Sequence, residues 1–268
     1  RIMSDIVILA ESGSDVPKSL AEELGIYIVP MYVAFGENTK PDGSFPAEEV
    51  VTFYQETKIL PSTSAANPYD FEAAFDRIDK EHPGCKILYL AYSAVTTCSY
   101  ANGMIAKGDR TNIYPVDTKQ VSVGQCAVVT LMAKYLKDHP ECTIEEAVTH
   151  AEIIREKVHM CFAPDTLEFL RAGGRVSNGA ALIGGLLKIH PLIEILDGYL
   201  KATQKFRGSM KKVAPQLIEN YMQNIDFDPE NIWLIDTPFL SSEIKEIAEE
   251  TARKNGAKSF TWVKTGGV

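Results

Sequence analysis

Short apolar runs alternate along this chain with longer segments in which apolar residues recur every three or four positions. Runs bounded by turn residues read as buried strands, and the periodic segments read as amphipathic helices. Ile6 to Ala10 is a first strand, and Pro17 opens a helix that Gly25 stops. Ile26 to Phe35 reads as a second strand, and Pro46 starts a helix with Val50, Phe53 and Tyr54 on one face. Pro61 to Pro68 is a loop of Ser, Thr, Asn and Pro. Tyr69 to Asp79 is a helix that sets Phe71 and Phe75 one turn apart. Strands three and four are Lys86 to Tyr92 and Asn112 to Val116, with a helix from Tyr100 to Lys107 between them. A long helix covers Val121 to Lys137. Thr143-Ile144-Glu145-Glu146 has the spacing of a capping box and opens a helix to Lys157. Val158 to Ala163 is a strand. Leu192 to Leu196 and Tyr199 to Ala202 form a hairpin about Asp197-Gly198. A helix over Ser209 to Met222, a strand over Ile232 to Asp236, a helix over Ser242 to Asn255 and a strand over Lys258 to Val263 complete the chain. This alternation predicts an α/β protein with parallel or mixed sheets.

The 268 residues exceed the usual size of one domain, so two domains and one large α/β domain are both open. A net charge of −9 argues against nucleic acid as the main partner, because phosphate binding needs a basic footprint. Lys211-Lys212 and the Lys201–Arg207 neighbourhood are the local basic spots, and they read as a solvated face. Cys85, Cys98, Cys126, Cys142 and Cys161 are scattered, with no C-x-x-C, which fits a reducing cytoplasm and no zinc ribbon. The start has no secretory pattern, and Arg1-Ile2 ahead of Met3 read as residues added before a native start. Apolar stretches are broken well short of the ~20 residues a membrane span needs.

The segment from Leu167 to Leu200 concentrates the most information. A helical pattern ends at Arg171-Ala172, Gly173-Gly174 stop it, and Arg175 follows. Beyond Ser177-Asn178-Gly179 comes an almost uncharged run, Ala180 to Leu187, and then Lys188, His190 and Pro191 interrupt an apolar stretch. Two readings stay open. One is a core helix, an exposed arginine and a turn. The other is a site for a ligand with a greasy body and one anionic end.

In open α/β sheets, ligands bind beyond the carboxyl ends of the strands. The candidate loops are Glu11 to Asp15, Tyr92 to Thr97 and Asp117-Thr118, with hydroxyls added by Ser62 to Asn67. Hydroxyls beside one arginine can hold a carboxylate or phosphate. The same residues also collect at caps and turns for local reasons. There is no G-x-S-x-G, P-loop, H-E-x-x-H or G-x-G-x-x-G motif, and no cluster has metal-ligand spacing. Of the five histidines, His190 alone lies in the informative segment.

In order, the segments I-V-I-L-A-E-S-G-S-D-V-P, G-I-Y-I-V-P-M, P-S-T-S, Y-L-A-Y-S-A, Y-P-V-D-T-K-Q-V-S-V-G, F-L-R-A-G-G-R-V-S, L-L-K-I-H-P-L-I and F-R-G-S-M-K-K run over essentially the whole chain. Together they resemble the DegV family of fatty-acid-binding proteins, the lipid-carrying subunits of bacterial fatty acid kinase. The resemblance implies two α/β domains, residues 1–163 and 164–268, with an acyl chain buried between or within them and its carboxylate held by hydroxyls at the mouth. It also implies a separate kinase catalytic subunit that phosphorylates that carboxylate. By position, Thr63 and Ser64 match the family's hydroxyl pair, and Ser93 matches the first serine after the third strand. Arg175 matches the arginine after the double glycine, at the mouth or on the kinase-docking face. Ser12, Ala94 and His190 complete the expected ligand-binding set.

The chain departs from the family's pattern in several places. Asp-Ser of the first loop is Glu11-Ser12, and S-S-x-L-S-G-T-Y is Ser93 to Tyr100 with Ala94 and Cys98 in place of a serine and the glycine. I-K-P is Ile189-His190-Pro191, and the chain stops at Val268, before the family's histidine and G-P-G. The expected protein is a cytoplasmic carrier of one long-chain fatty acid, with no catalytic residues, no metal and no cofactor beyond its ligand, and with transient contact to a membrane surface. The alternatives are a small-molecule phosphotransferase or hydrolase using Ser93 or His190, and a regulatory protein with a vestigial pocket.

Overall fold

The computed structural model describes residues 5–182 and 188–268. Residues 183–187 carry most of the apolar run read from Ala180 to Leu187, so that expectation lies largely outside the described residues. In chain order the first elements are β1 (Ile6–Glu11), α1 (Lys18–Leu24), β2 (Tyr27–Val29), β3 (Tyr32–Phe35), β4 (Asn38–Pro41), α2 (Glu48–Thr57) and β5 (Ser62–Ser64). Next come α3 (Pro68–Glu81), β6 (Lys86–Ala91), α4 (Ser99–Lys107), β7 (Ile113–Asp117), α5 (Ser122–Asp138) and α6 (Ile144–Lys157). The remainder is β8 (Cys161–Phe162), α7 (Glu168–Gly173), β9 (Ile189–Leu196), β10 (Tyr199–Arg207), α8 (Met210–Gln223), β11 (Ile232–Asp236), α9 (Ser242–Lys254) and β12 (Phe260–Lys264).

The centre is a parallel sheet in the order β2-β1-β6-β7. Side chains alternate across a strand, so β1 and β6 feed two cores at once. Ile6, Ile8, Ala10, Leu88 and Leu90 face α5 and α6, against Met132, Ala147 and Ala151. Val7, Leu9, Ile87, Tyr89 and Ala91 face α3 and α4, against Phe71, Phe75 and Ala106. A strand covered on both sides has no polar positions to spare, which is why these runs read as continuously apolar. Capping matches the sequence reading. The Thr143–Glu146 capping box is formed, and the Asn67 side chain accepts the Asp70 N–H ahead of α3.

The expected strand from Ile26 to Phe35 divides at Pro30. β2 joins the parallel sheet, whereas β3 pairs antiparallel with β4 and β5. Proline cannot donate to a ladder, so the chain changes sheets there. β4 and β5 fall in segments that read as loop; their register with β3, such as Val33 opposite both Lys40 and Thr63, recruits them. The strand expected over Val158 to Ala163 shortens to β8, which pairs with β9. The hairpin is longer than the pattern suggested. Its turn has positive φ at Asp197 and Gly198 (49° and 85°), the combination that matches the twist of a two-residue hairpin. β11 and β12 form a parallel pair whose Val263, Trp233 and Ile235 pack on Val123 and Cys126 of α5.

Candidate functional site

The carboxyl ends of β1, β6 and β7 converge, and their loops are tied to one another. After β1, residues Ser12–Ser14 make one 3-10 turn, and Ser12 Oγ accepts the Met31 N–H at 2.9 Å. After β6, the Ser93 N–H donates to Gln120 O, and the Ala94 N–H donates to Asp117 Oδ1 at 3.2 Å. The buried Ser93 hydroxyl donates to Gly198 O at 2.6 Å, so the β6 exit holds the tip of the β9–β10 hairpin. A Cβ at Gly198 would meet Ser93 Oγ at 2.7 Å, at a φ that favours glycine. Gly198→Ala is therefore expected to cost roughly 1–3 kcal/mol of stability, read from a urea unfolding midpoint. An unshifted midpoint would show that the tip is not held by this contact.

An open cleft of about 340 Å³ lies over this junction, lined by Ala65, the loop from Ala94 to Cys98, and Arg175. Its size is in the range of small-molecule sites, roughly 300–1,000 Å³. Arg175 reaches it because α7 ends at Gly174 in the left-handed region, φ 63°, which turns the chain sharply. The next residues dock the turn on β10. The Ser177 N–H and hydroxyl donate to Leu200 O, and Asn178 exchanges two 2.9 Å hydrogen bonds with Ala202. The exposed Arg175 guanidinium donates to Gly173 O and forms no ion pair among the described residues. It makes no salt bridge to the nearby acids Asp165 and Glu168.

An apolar cluster shares these loops. Val121, Val176, Leu182, Ile193 and Leu200 are buried together, with Tyr92, Leu170 and Ile235 packed against them. It brings the end of β6, the α7 turn, the hairpin and β11 into one greasy wall beside the arginine. A second cleft of about 300 Å³ lies on β12 and α9, where Lys245 pairs with Asp236 at 2.9 Å and Trp262 donates to Glu249 at 2.7 Å. Four of its five lining residues are thus paired with one another.

Below the β1 exit lie buried carboxyls. Glu11 accepts from Tyr89 Oη, the Tyr92 N–H and Gln125 Nε2. Burial outweighs these donors and pushes its pKa up to about 7. Burial likewise raises Asp15 to about 7, opposed by hydrogen bonds from Ser122 Oγ and the Gly266 N–H and reinforced by Asp42. Asp42 accepts the Gly267 N–H at 2.8 Å, so the two acids clasp the segment after β12.

Of the residues singled out in the sequence, Ala94 and Arg175 face the same cleft, and Ser93 lies at its loop. Thr63 and Ser64 are exposed on β5, next to the lining residue Ala65. Ser12 and His190 do not line it. His190 is buried, with Nδ1 3.1 Å from Pro164 O and Nε2 3.0 Å from Gly208 O. Sequence reading passed over Ser177 and Asn178, which looked like turn punctuation, and over Asp117 as the acceptor that shapes the Ala94 loop. Among the described residues no group of three or more His, Cys, Asp or Glu is arranged to hold a metal, and no helix is long and apolar enough to cross a membrane.

A family model described as the DegV family of uncharacterised proteins matches residues 5–268. A DegV domain-containing protein of Clostridium perfringens is 33% identical over 221 residues, 79% of this chain and 74% of the relative. A protein of Thermotoga maritima named a fatty acid-binding protein is 29% identical over 228 residues, 82% of this chain and 77% of the relative. The crystal structure of a DegV lipid binding protein from Thermotoga maritima has a TM-score of 0.81 at 26% identity and covers 99% of this chain and 93% of that one. A fatty-acid-binding DegV family protein of Thermus thermophilus reaches a TM-score of 0.84 at 23% identity, covering 98% and 93%, a likeness of fold.

Proposed function

The chain belongs to the DegV family, and on that premise we propose that it binds one long-chain fatty acid and presents its carboxylate to a fatty acid kinase subunit for phosphorylation to an acyl phosphate. The observation that carries the reading is the placement of Arg175 and the Ala94–Cys98 loop in one cleft beside the buried Val121–Val176–Leu200 cluster. An acyl chain lies along that cluster and its carboxylate stays at the mouth. There the head group has Arg175 on one side and the hydroxyls of Thr63 and Ser64 on the other, while the Ser93 hydroxyl, spent on Gly198 O, holds the hairpin tip beside them. Each buried methylene contributes about 0.8 kcal/mol, so a dozen carbons outweigh a modest polar anchor. The carrier works in the cytoplasm and exchanges its ligand by transient contact with a membrane surface.

The phosphotransferase reading draws no support from the geometry. The Ser93 hydroxyl donates to a backbone carbonyl, and both ring nitrogens of His190 face carbonyl oxygens. Native mass spectrometry of protein purified without detergent tests the proposal. A one-to-one fatty acid adduct is expected. A bare mass after incubation with long-chain fatty acids would overturn the carrier reading. Acyl phosphate formed on adding the kinase subunit and ATP supports the second half, and its absence with a lipid-loaded carrier overturns that half alone.

A further inference from the structure

Two hydroxyls line the cleft over the β6 exit, those of Thr96 and Thr97. Their protons are disposed differently. Thr96 Oγ1 donates to Ser93 O at 2.9 Å, so its proton stays within the loop. Thr97 Oγ1 accepts the Ser99 N–H at 3.2 Å and lies 3.1 Å from Ser99 Oγ. The direction of that last hydrogen bond follows from burial. Ser99 is fully buried, and its Oγ already accepts the Ala66 N–H at 3.1 Å. Among the described residues, Thr97 Oγ1 is the one acceptor within reach of the Ser99 hydroxyl proton. Were Thr97 the donor, that proton would lie buried without a partner, an arrangement folded proteins avoid because it carries the full desolvation cost. Ser99 therefore donates, and Thr97 accepts twice. The Thr97 proton is left over, on a half-buried side chain in the wall of the cleft. Cys98, the residue ahead of α4, shares that wall, so the positive end of a nine-residue helix stands beside the free proton.

We propose that the Thr97 hydroxyl donates this proton to the carboxylate of the ligand, which makes Thr97 a further head-group residue alongside Arg175. The inference rests on the fatty-acid reading above and adds a donor to the same site. Ser99 engages both lone pairs of Thr97 Oγ1, so the hydroxyl can give a hydrogen bond and cannot take one. A carboxylate is its complement, because it only accepts. The neutral oxygen of a fatty alcohol can accept the same proton, in a bond about half as strong. Arg175 thus supplies charge at the mouth, and Thr97 supplies a donor of fixed direction. Thr96 and Thr97 are equals in the sequence; the network around Ser99 separates them.

The test measures wild type, Thr97→Val and Thr97→Ser against hexadecanoic acid and hexadecanol, by displacement of a fluorescent long-chain fatty acid. Thermal unfolding of each protein is followed alongside. Valine keeps the shape and loses the proton. Its affinity for the acid is expected to fall about tenfold, the loss of one charge-assisted hydrogen bond at a partly exposed site. Affinity for the alcohol should fall by about threefold at most, so the preference for acid over alcohol narrows. Thr97→Ser should restore both to wild-type values. A merely structural role, in which valine loosens the loop by leaving Ser99 without its acceptor, would weaken acid and alcohol alike. That outcome would overturn the proposal, as would wild-type affinity for the acid in Thr97→Val. Thr97→Asp serves if the valine variant does not fold. Its carboxylate still accepts from Ser99 at the head of α4 but has no proton to give, so it should lose the acid and keep the alcohol. Retained binding of the acid there would also overturn the proposal. Wild type that binds no acid would overturn the fatty-acid reading itself, and the Thr97 donor with it.

Discussion

Arg175→Ala is expected to weaken fatty acid binding by about 10- to 100-fold while leaving the melting temperature at its wild-type value. A hydrogen bond to a charged group is worth about 1.5–3 kcal/mol, and the exposure of Arg175 sets the effect toward the lower end through solvent screening. Folding should be indifferent, because among the described residues the exposed guanidinium forms no ion pair and its hydrogen bond goes to the Gly173 carbonyl of its own turn. Arg175→Lys should recover part of the loss at most, since a point charge does not reproduce a planar fork against a carboxylate. Titration calorimetry with a soluble fatty acid reads the affinity, and thermal unfolding reads the fold. Wild-type affinity in the alanine variant would remove Arg175 from the site. A lowered melting temperature would mean that the arginine holds the α7 turn rather than the ligand.

Between pH 5 and pH 8 the protein is expected to lose stability, by roughly 3 kcal/mol for each of two buried carboxyls. Glu11 and Asp15 are both raised to about 7 by burial. Below the unfolded values, near pH 4, each is protonated in both states and its contribution is fully present. From there up to about 7 the folded protein holds protons that the unfolded chain has released, so stability falls with every step in pH. Above about 7 both states are ionised and the contribution is gone. Glu11→Gln removes one of the two titrations. Its amide is nearly isosteric, and its oxygen can still accept the Tyr92 N–H. The slope of stability against pH should then fall to about half, with the variant at least as stable as wild type at pH 8. Urea unfolding at several pH values in this window decides it. Parallel slopes for the two proteins would mean that Glu11 is ionised throughout, held by the Tyr89, Tyr92 and Gln125 donors.

The division between what could be read along the chain and what could not follows the range of the interactions. Apolar runs such as Ile6 to Ala10, the Thr143–Glu146 capping box and the Asp197-Gly198 turn are local: burial on both faces, a reciprocal cap and a positive φ each act within a few residues. The α/β class and most helices were therefore legible, and the ordered segments placed Arg175 after its glycine stop. β4 and β5 were not legible, because Asn38 to Pro41 and Ser62 to Ser64 have no strand pattern of their own and exist by pairing with β3. Pro30 was visible, but not that the chain would change sheets there. The site divides in the same way. Arg175 and Ala94, which line the cleft, could be named in advance, whereas the Ser93–Gly198 hydrogen bond spans 105 residues and the Asp15–Gly266 bond 251. No periodicity carries such contacts. The sequence by itself determined the helices, the central strands and the chemistry on offer. The tertiary structure decided which of those groups stand free at the cleft and which are consumed in holding the loops together, because a polar group's remaining capacity depends on partners far away in the chain.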